Sequence, residues 1–291
     1  MKLKLTVILI SFSLYSFAQD DLLKELEQSQ PKEVVYATST FKSTRLVNGQ
    51  TIETKGKGEL EFIFAHRFGA ISSGAYNLYG LDQAYVRLGL EYGLTDRLGV
   101  GIGRNSVDKT VDAFLRYRFL KQSSGARNMP VTITAFTNAA VKNSPQELDP
   151  GMVYSDRLSY TAQLLIARKF SPKLSLQLMP TIIHRNAVDK TIENNDLIAL
   201  GVGGRIKVTR SIALTTEYYH RIAVKEGNPY YNSVGFGIDI ETGGHVFQLV
   251  MTNAQGITER AFIGETTDNF FTGGIHLGFN VTRTFQLRKK K

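Results

Sequence analysis

The sequence has no cysteine and no tryptophan, and only 7 of its 291 residues are proline. Without a thiol there is no cysteine nucleophile, thiolate zinc site, iron–sulfur cluster or disulfide scaffold. Beyond residue 19 no apolar run is long enough to cross a bilayer as a helix. A broad basic face is missing too. The formal charge is +9, but Lys2, Lys4 and the tail Arg288–Lys291 supply six of those charges and leave +3 for the body. A nucleic-acid-binding surface spreads its excess over the fold, so no nucleic acid is expected as a partner. Helical periodicity is confined to 20–30, where Leu22, Leu23 and Leu26 share a face. One membrane class passes all these exclusions: the β-barrel, whose strands are apolar on one face only.

What is present begins with an export signal. Lys2 and Lys4 precede the apolar stretch Leu5–Leu14, and Ser16-Phe17-Ala18 sets small residues at −3 and −1 before Gln19. Residues 1–18 are read as a signal peptide, and no cysteine follows to accept a lipid anchor. From about Lys57 onward the pattern has period two. Segments near ten residues long run over 58–67, 84–93, 97–104, 110–120, 130–140, 157–169, 174–184, 197–208, 211–222, 233–241, 245–253 and 271–283. Strands of about 9–11 residues are what a tilted crossing of the hydrocarbon layer needs.

In 111–119 one face carries Val111, Ala113, Leu115, Tyr117 and Phe119, and the other Asp112, Phe114, Arg116 and Arg118. A soluble sandwich alternates in the same way. The connections separate the two architectures. Leu94–Asp96, Ser171–Lys173, Thr209–Arg210 and Thr242–Gly244 are short, and they alternate with the longer Phe68–Gln83, Val141–Asp156, Arg185–Asp196, Ala223–Asn232 and Ala254–Phe270. Lys121–Met129 is long for a turn and Asn105–Lys109 short for a loop. Short turns at one end and long loops at the other are the pattern of an outer-membrane barrel. The expected fold is all-β, an antiparallel up-and-down transmembrane barrel of about 12 strands over 57–287, with a basic tail at 288–291. Its apolar parity faces lipid, with Tyr92, Tyr117, Phe119, Tyr160, Phe170, Tyr218 and Phe285 near strand ends as an aromatic girdle. Residues 19–56 stand apart: Val34–Leu46 has strand-like content and Asn48-Gly49 is a hairpin signal, so this stretch reads as a periplasmic lead-in, hairpin or lumen insert.

Several blocks carry a resemblance. They are Glu59-Leu60-Glu61-Phe62 leading to His66-Arg67-Phe68-Gly69, then Tyr79-Gly80-Leu81-Asp82, Arg87-Leu88-Gly89-Leu90-Glu91-Tyr92-Gly93, Thr95-Asp96-Arg97-Leu98 with Gly101-Ile102-Gly103-Arg104, and Gly278-Phe279-Asn280-Val281-Thr282-Arg283. Over roughly 36–287 the chain resembles a Bacteroidetes-type outer-membrane β-barrel family catalogued only as a domain of unknown function. That resemblance implies a barrel in the outer membrane of a Gram-negative bacterium and brings no catalytic residue, ligand or substrate.

Gly99-Val100-Gly101-Ile102-Gly103 and Gly201-Val202-Gly203-Gly204 lack the strand-then-helix setting of a dinucleotide loop, so they read as lumenal glycines. Among His66, His184, His220, His245 and His276 there is no metal-binding spacing, and no cofactor is expected. Parity places six acids inside (Glu59, Glu61, Glu91, Asp112, Glu217, Asp239) with six bases (Arg87, Arg116, Arg118, Arg205, Lys207, Arg221). A selective pore more often shows a ring of one sign, whereas balanced charges suggest an ion-paired lumen that is narrow or closed. Glu217 with Arg205 and Lys207 on the preceding strand is one expected group. The expected function is non-enzymatic: a narrow channel for small polar solutes or a membrane scaffold, touching outer-membrane lipids and using the barrel-insertion machinery during biogenesis. The alternative, an outer-membrane lipid hydrolase, needs a serine beside a histidine on the lipid face, and Ser159 and Ser175 follow the inward parity instead.

Overall fold

The computed structural model describes residues 33–144 and 153–288. The expected signal peptide, the helical stretch 20–30 and the last three residues lie outside the described residues. Fourteen strands form among the described residues: β1 (Val34–Tyr36), β2 (Glu59–Ala70), β3 (Ala84–Gly93), β4 (Leu98–Asn105), β5 (Val111–Leu120), β6 (Ser123–Gly125), β7 (Thr132–Val141), β8 (Leu158–Lys169), β9 (Leu174–Arg185), β10 (Asp196–Lys207), β11 (Ile212–Ile222), β12 (Ser233–Thr242), β13 (His245–Thr252) and β14 (His276–Gln286). Twelve of them close into one antiparallel barrel, each beside its neighbour in sequence, with β14 returning to β2. The closing register sets Asn280 opposite Ala65 and Phe285 opposite Leu60. Closure leaves no exposed edge and pairs every strand on both sides, which a sheet in lipid must achieve.

The period-two segments coincide with these strands to within three residues, except the last, which begins at His276 rather than 271. There the chain first makes a helical turn over Phe270–Thr272, capped by the Asn269 side chain, and Gly273 at φ 90° then redirects it. The long turn Lys121–Met129 has its own explanation. It contains β6, which pairs antiparallel with β1 in a small two-stranded sheet at the short-turn end.

Alternation sorts the two faces. Leu88, Leu90, Ile102, Leu115, Leu164, Ile182, Leu200 and Ile238 point outward and are exposed, while Arg87, Glu91, Asp112, Phe114 and Arg116 point inward and are buried. The girdle residues Phe119, Tyr160, Phe170, Tyr218 and Phe285 are exposed on the outer surface. The buried core therefore lies within the barrel, built by Phe114, Phe136, Leu165, Met179, Ile183 and Tyr219 from the wall and by Phe41, Leu46, Ile52, Phe262 and Ile263 from segments folded into it. Inward glycines make that filling fit. A Cβ on Gly101 would come within 2.2 Å of the Phe114 ring, and one on Gly203 within 2.2 Å of the Leu46 side chain.

Candidate functional site

The lumen is occupied by the chain's own residues. After β1 the backbone enters from the short-turn end, reverses at Asn48-Gly49 and returns to start β2. Arg45 and Gln50 pair as a bridge, Leu46 N donates to Gly49 O (2.8 Å) and Thr51 N to Thr44 O (2.9 Å), so 44–51 is a tight hairpin. The return leg is held at the β3–β4 turn, where Thr54 Oγ1 donates to Asp96 O and Lys57 N to the Asp96 carboxylate, each at 3.0 Å. Every residue from Ser43 to Ile52 is buried.

Inward side chains from around the wall grip this hairpin. At the tip, Glu217 of β11 accepts from the backbone N–H groups of Val47 (3.0 Å), Asn48 (2.8 Å) and Gly49 (3.0 Å). Three donors on one carboxylate give charge-assisted bonds, stronger than neutral ones. Arg67 of β2 donates to Asn48 Oδ1 (2.8 Å) and Val47 O (3.3 Å), while Asn280 of β14 donates to Val47 O (2.9 Å) and to Gln248. Lower down, Arg116 of β5 donates to Thr51 O (2.5 Å) and Glu53 O (3.1 Å), and Gln177 of β9 donates to Gln50 O (2.7 Å) while accepting from Ile52 N (3.0 Å).

From the long-loop end, the β13–β14 connection folds inward and buries Gly256–Gly264. The two insertions meet at Glu259, which accepts from Gln50 Nε2 (2.6 Å) and pairs with Arg45 (3.3 Å). Beyond this contact a mouth cavity of about 540 Å³ remains, lined by Lys142, Asp156, Arg157, Arg185, Asp189 and Arg260 among others.

The expected lumenal charges separate into two groups. Arg87 pairs with Asp112 (2.6 Å), Arg116 with Glu91 (3.1 Å) and Arg205 with Asp239 (3.6 Å), all buried. The remainder, Lys207 apart, engage insertions or loops. Glu61 pairs with Lys55 (2.5 Å), and Glu59 accepts from Gly56 N (2.8 Å). Arg118 donates to Asp96 O (2.6 Å), and Arg221 reaches Asn228 Oδ1 (3.1 Å) and Tyr230 O. The expected group of Glu217, Arg205 and Lys207 does not form. Glu217 sits opposite Gly203 and turns to the hairpin, Arg205 pairs with Asp239 and Glu241 across β11, and Lys207 makes no ion pair among the described residues.

Sequence reasoning missed Arg67, which shares the parity of Glu59 and Glu61 and is fully buried. It also missed Gln177, Gln248 and Asn280, whose neutral side chains announce nothing until a partner is in view. Ser159 and Ser175 are buried on the lumenal face, away from lipid. Among the described residues no group of three or more His, Cys, Asp or Glu is placed to hold a metal ion.

Residues 41–285 match the model of the family described as a membrane bound beta barrel domain (DUF5777). The chain belongs to this family. Its match opens at Phe41, so the lumenal hairpin lies within the membrane bound beta barrel domain rather than ahead of it. No curated protein matches the chain. Among solved structures it is similar to the NanC porin (TM-score 0.49, 10% identity, 78% of this chain and 100% of that chain) and to the KdgM porin (0.47, 9%, 78% and 99%). It is also similar to an outer membrane channel from Pseudomonas putida F1 (0.45, 15%, 80% and 98%).

Proposed function

We propose that this barrel is a non-enzymatic conduit of the Gram-negative outer membrane, a narrow channel for small polar solutes held shut by its own hairpin. The observation that carries the reading is the chemistry of the closure. A permanent core is more stable when apolar, because buried ion pairs are costly and replacing them with packed hydrophobic residues is often neutral or stabilising. Here Arg67, Arg116 and Glu217 are buried against the hairpin and hold its main chain by polar bonds, with Glu91 buried behind Arg116. Water can take over such bonds when the hairpin withdraws, leaving a hydrated, charged passage. The signal-like segment 1–18 supports export, and the outward apolar band would contact outer-membrane lipids after delivery by the barrel-insertion machinery.

Planar-bilayer recording of the full chain tests this reading, with unboiled and boiled gel mobility as the control for a folded barrel. Wild type should be nearly silent. Gly49→Val should show discrete conductance steps, because a Cβ there meets Tyr219 Oη at 2.2 Å and the hairpin can no longer seat. Silence of both folded proteins would favour a scaffold, and a wide, steady wild-type current would overturn closure by the hairpin.

A further inference from the structure

The way the wall holds the hairpin points to a ligand class. Four consecutive carbonyls, those of Gln50, Thr51, Ile52 and Glu53, each accept from a barrel side chain: Gln177, Arg116, Thr134 and Arg116 again. At the tip, three consecutive N–H groups bond to Glu217, and the carbonyls of Leu46 and Val47 accept from Gln248, Asn280 and Arg67. These are main-chain groups, which every peptide presents regardless of sequence. Gln177 repeats the pattern of an adjacent strand, donating to one carbonyl and accepting from the N–H two residues on, at 2.7 and 3.0 Å. Leu46 and Ile52 meanwhile fill places in the apolar part of the wall beside Phe136, Leu165 and Met179. Main-chain bonds that supply affinity, with pockets for some side chains, are how extended peptides are recognised at sheet edges. In this barrel, lumenal side chains supply the bonds that a strand edge supplies elsewhere.

We infer that the lumen is a peptide-binding site, occupied at rest by the chain's own hairpin, and that short peptides able to fold into the same tight turn are the polar solutes the conduit accepts. The inference rests on the conduit reading and deepens it. A sugar hydroxyl has no fixed donor end and acceptor end as an amide does, and a simple ion cannot offer the consecutive donors that Glu217 takes together with the consecutive acceptors that Gln177 and Arg116 take. A peptide of about ten residues can.

The test uses the full chain carrying Gly49→Val, refolded in detergent, with fluorescence anisotropy of labelled peptides as the readout. Two probes are compared: a peptide of residues 44–53, and an unrelated ten-residue peptide of serine, threonine, glycine and leucine. Both should bind, with dissociation constants within about tenfold of each other. Wild type, whose site is filled, should bind them at least about tenfold more weakly. Adding Gln177→Ala should weaken both by on the order of tenfold, since two hydrogen bonds are lost. Binding of the 44–53 peptide alone, no binding of either peptide, or equal competition by a trisaccharide would overturn the inference. Each of these results leaves the conductance of Gly49→Val standing, so failure here is separable from failure of the conduit reading.

Discussion

Two stretches of the lumenal wall differ sharply in chemistry. The inward faces of β2–β5 carry Glu61, Arg67, Arg87, Glu91, Asp112 and Arg116, all buried. Next to them in the ring, the inward faces of β7–β9 carry Phe136, Leu165, Ala167, Met179 and Ile183 among neutral Thr, Ser, Asn and Gln, with charge only at the strand ends in Lys169 and Arg185. The hairpin is amphipathic between them. Leu46 and Ile52 join the apolar cluster, and its backbone completes the polar side. A barrel interior of one character could hold its filling by packing alone or by hydrogen bonds alone. With one wall of each kind, packing defines where the hairpin sits and polar bonds define its register.

The comparison can be broken from either side. The largest effect is expected on the charged wall: Arg116→Leu strands the buried Glu91 and should cost about 3–5 kcal/mol, read as a lowered urea midpoint for refolded protein in vesicles. Adding Glu91→Leu should recover much of that loss. A double variant as unstable as the single would show that the bonds from Arg116 to the hairpin outweigh its ion pair. On the apolar wall, Leu165→Ala opens a cavity at a fully buried site and should cost about 2–5 kcal/mol with no rescue by a polar partner. Turned outward, Leu115→Arg should cost about 2–4 kcal/mol near mid-membrane; a neutral result would mean that this position does not face lipid. The smallest change sharpens the link between wall and filling. Gly203→Ala brings a Cβ within 2.2 Å of Leu46, so an overpacking cost of about 1–3 kcal/mol should fall on the hairpin. Its signature is protease cleavage in 41–56 while the barrel stays heat-modifiable; equal protection of variant and wild type would show that Leu46 yields without unseating the hairpin.

Parity along single strands was enough to assign the inward charges of β3, β5 and β11, and the lengths of the connections pointed to a barrel rather than a sandwich. Both signals are local, since neighbouring residues of a strand must face opposite sides whatever lies beyond. The same rule would have found Arg67. Nothing local could pair Glu217 with Val47, Asn48 and Gly49, which lie about 170 positions away in the chain. A carboxylate on a strand looks alike whether it faces an arginine or a row of amides.

The sequence by itself determined the strands, their inward and outward faces, the Asn-Gly reversal and the long and short connections, because each follows from backbone geometry and side-chain polarity within a few residues. Only the tertiary structure decided that the hairpin lies inside the barrel, that the β13–β14 connection meets it at Glu259, and that Arg205 turns to Asp239 rather than Glu217. Those outcomes depend on which groups the closed ring brings within hydrogen-bonding distance, and closure joins residues from opposite ends of the chain.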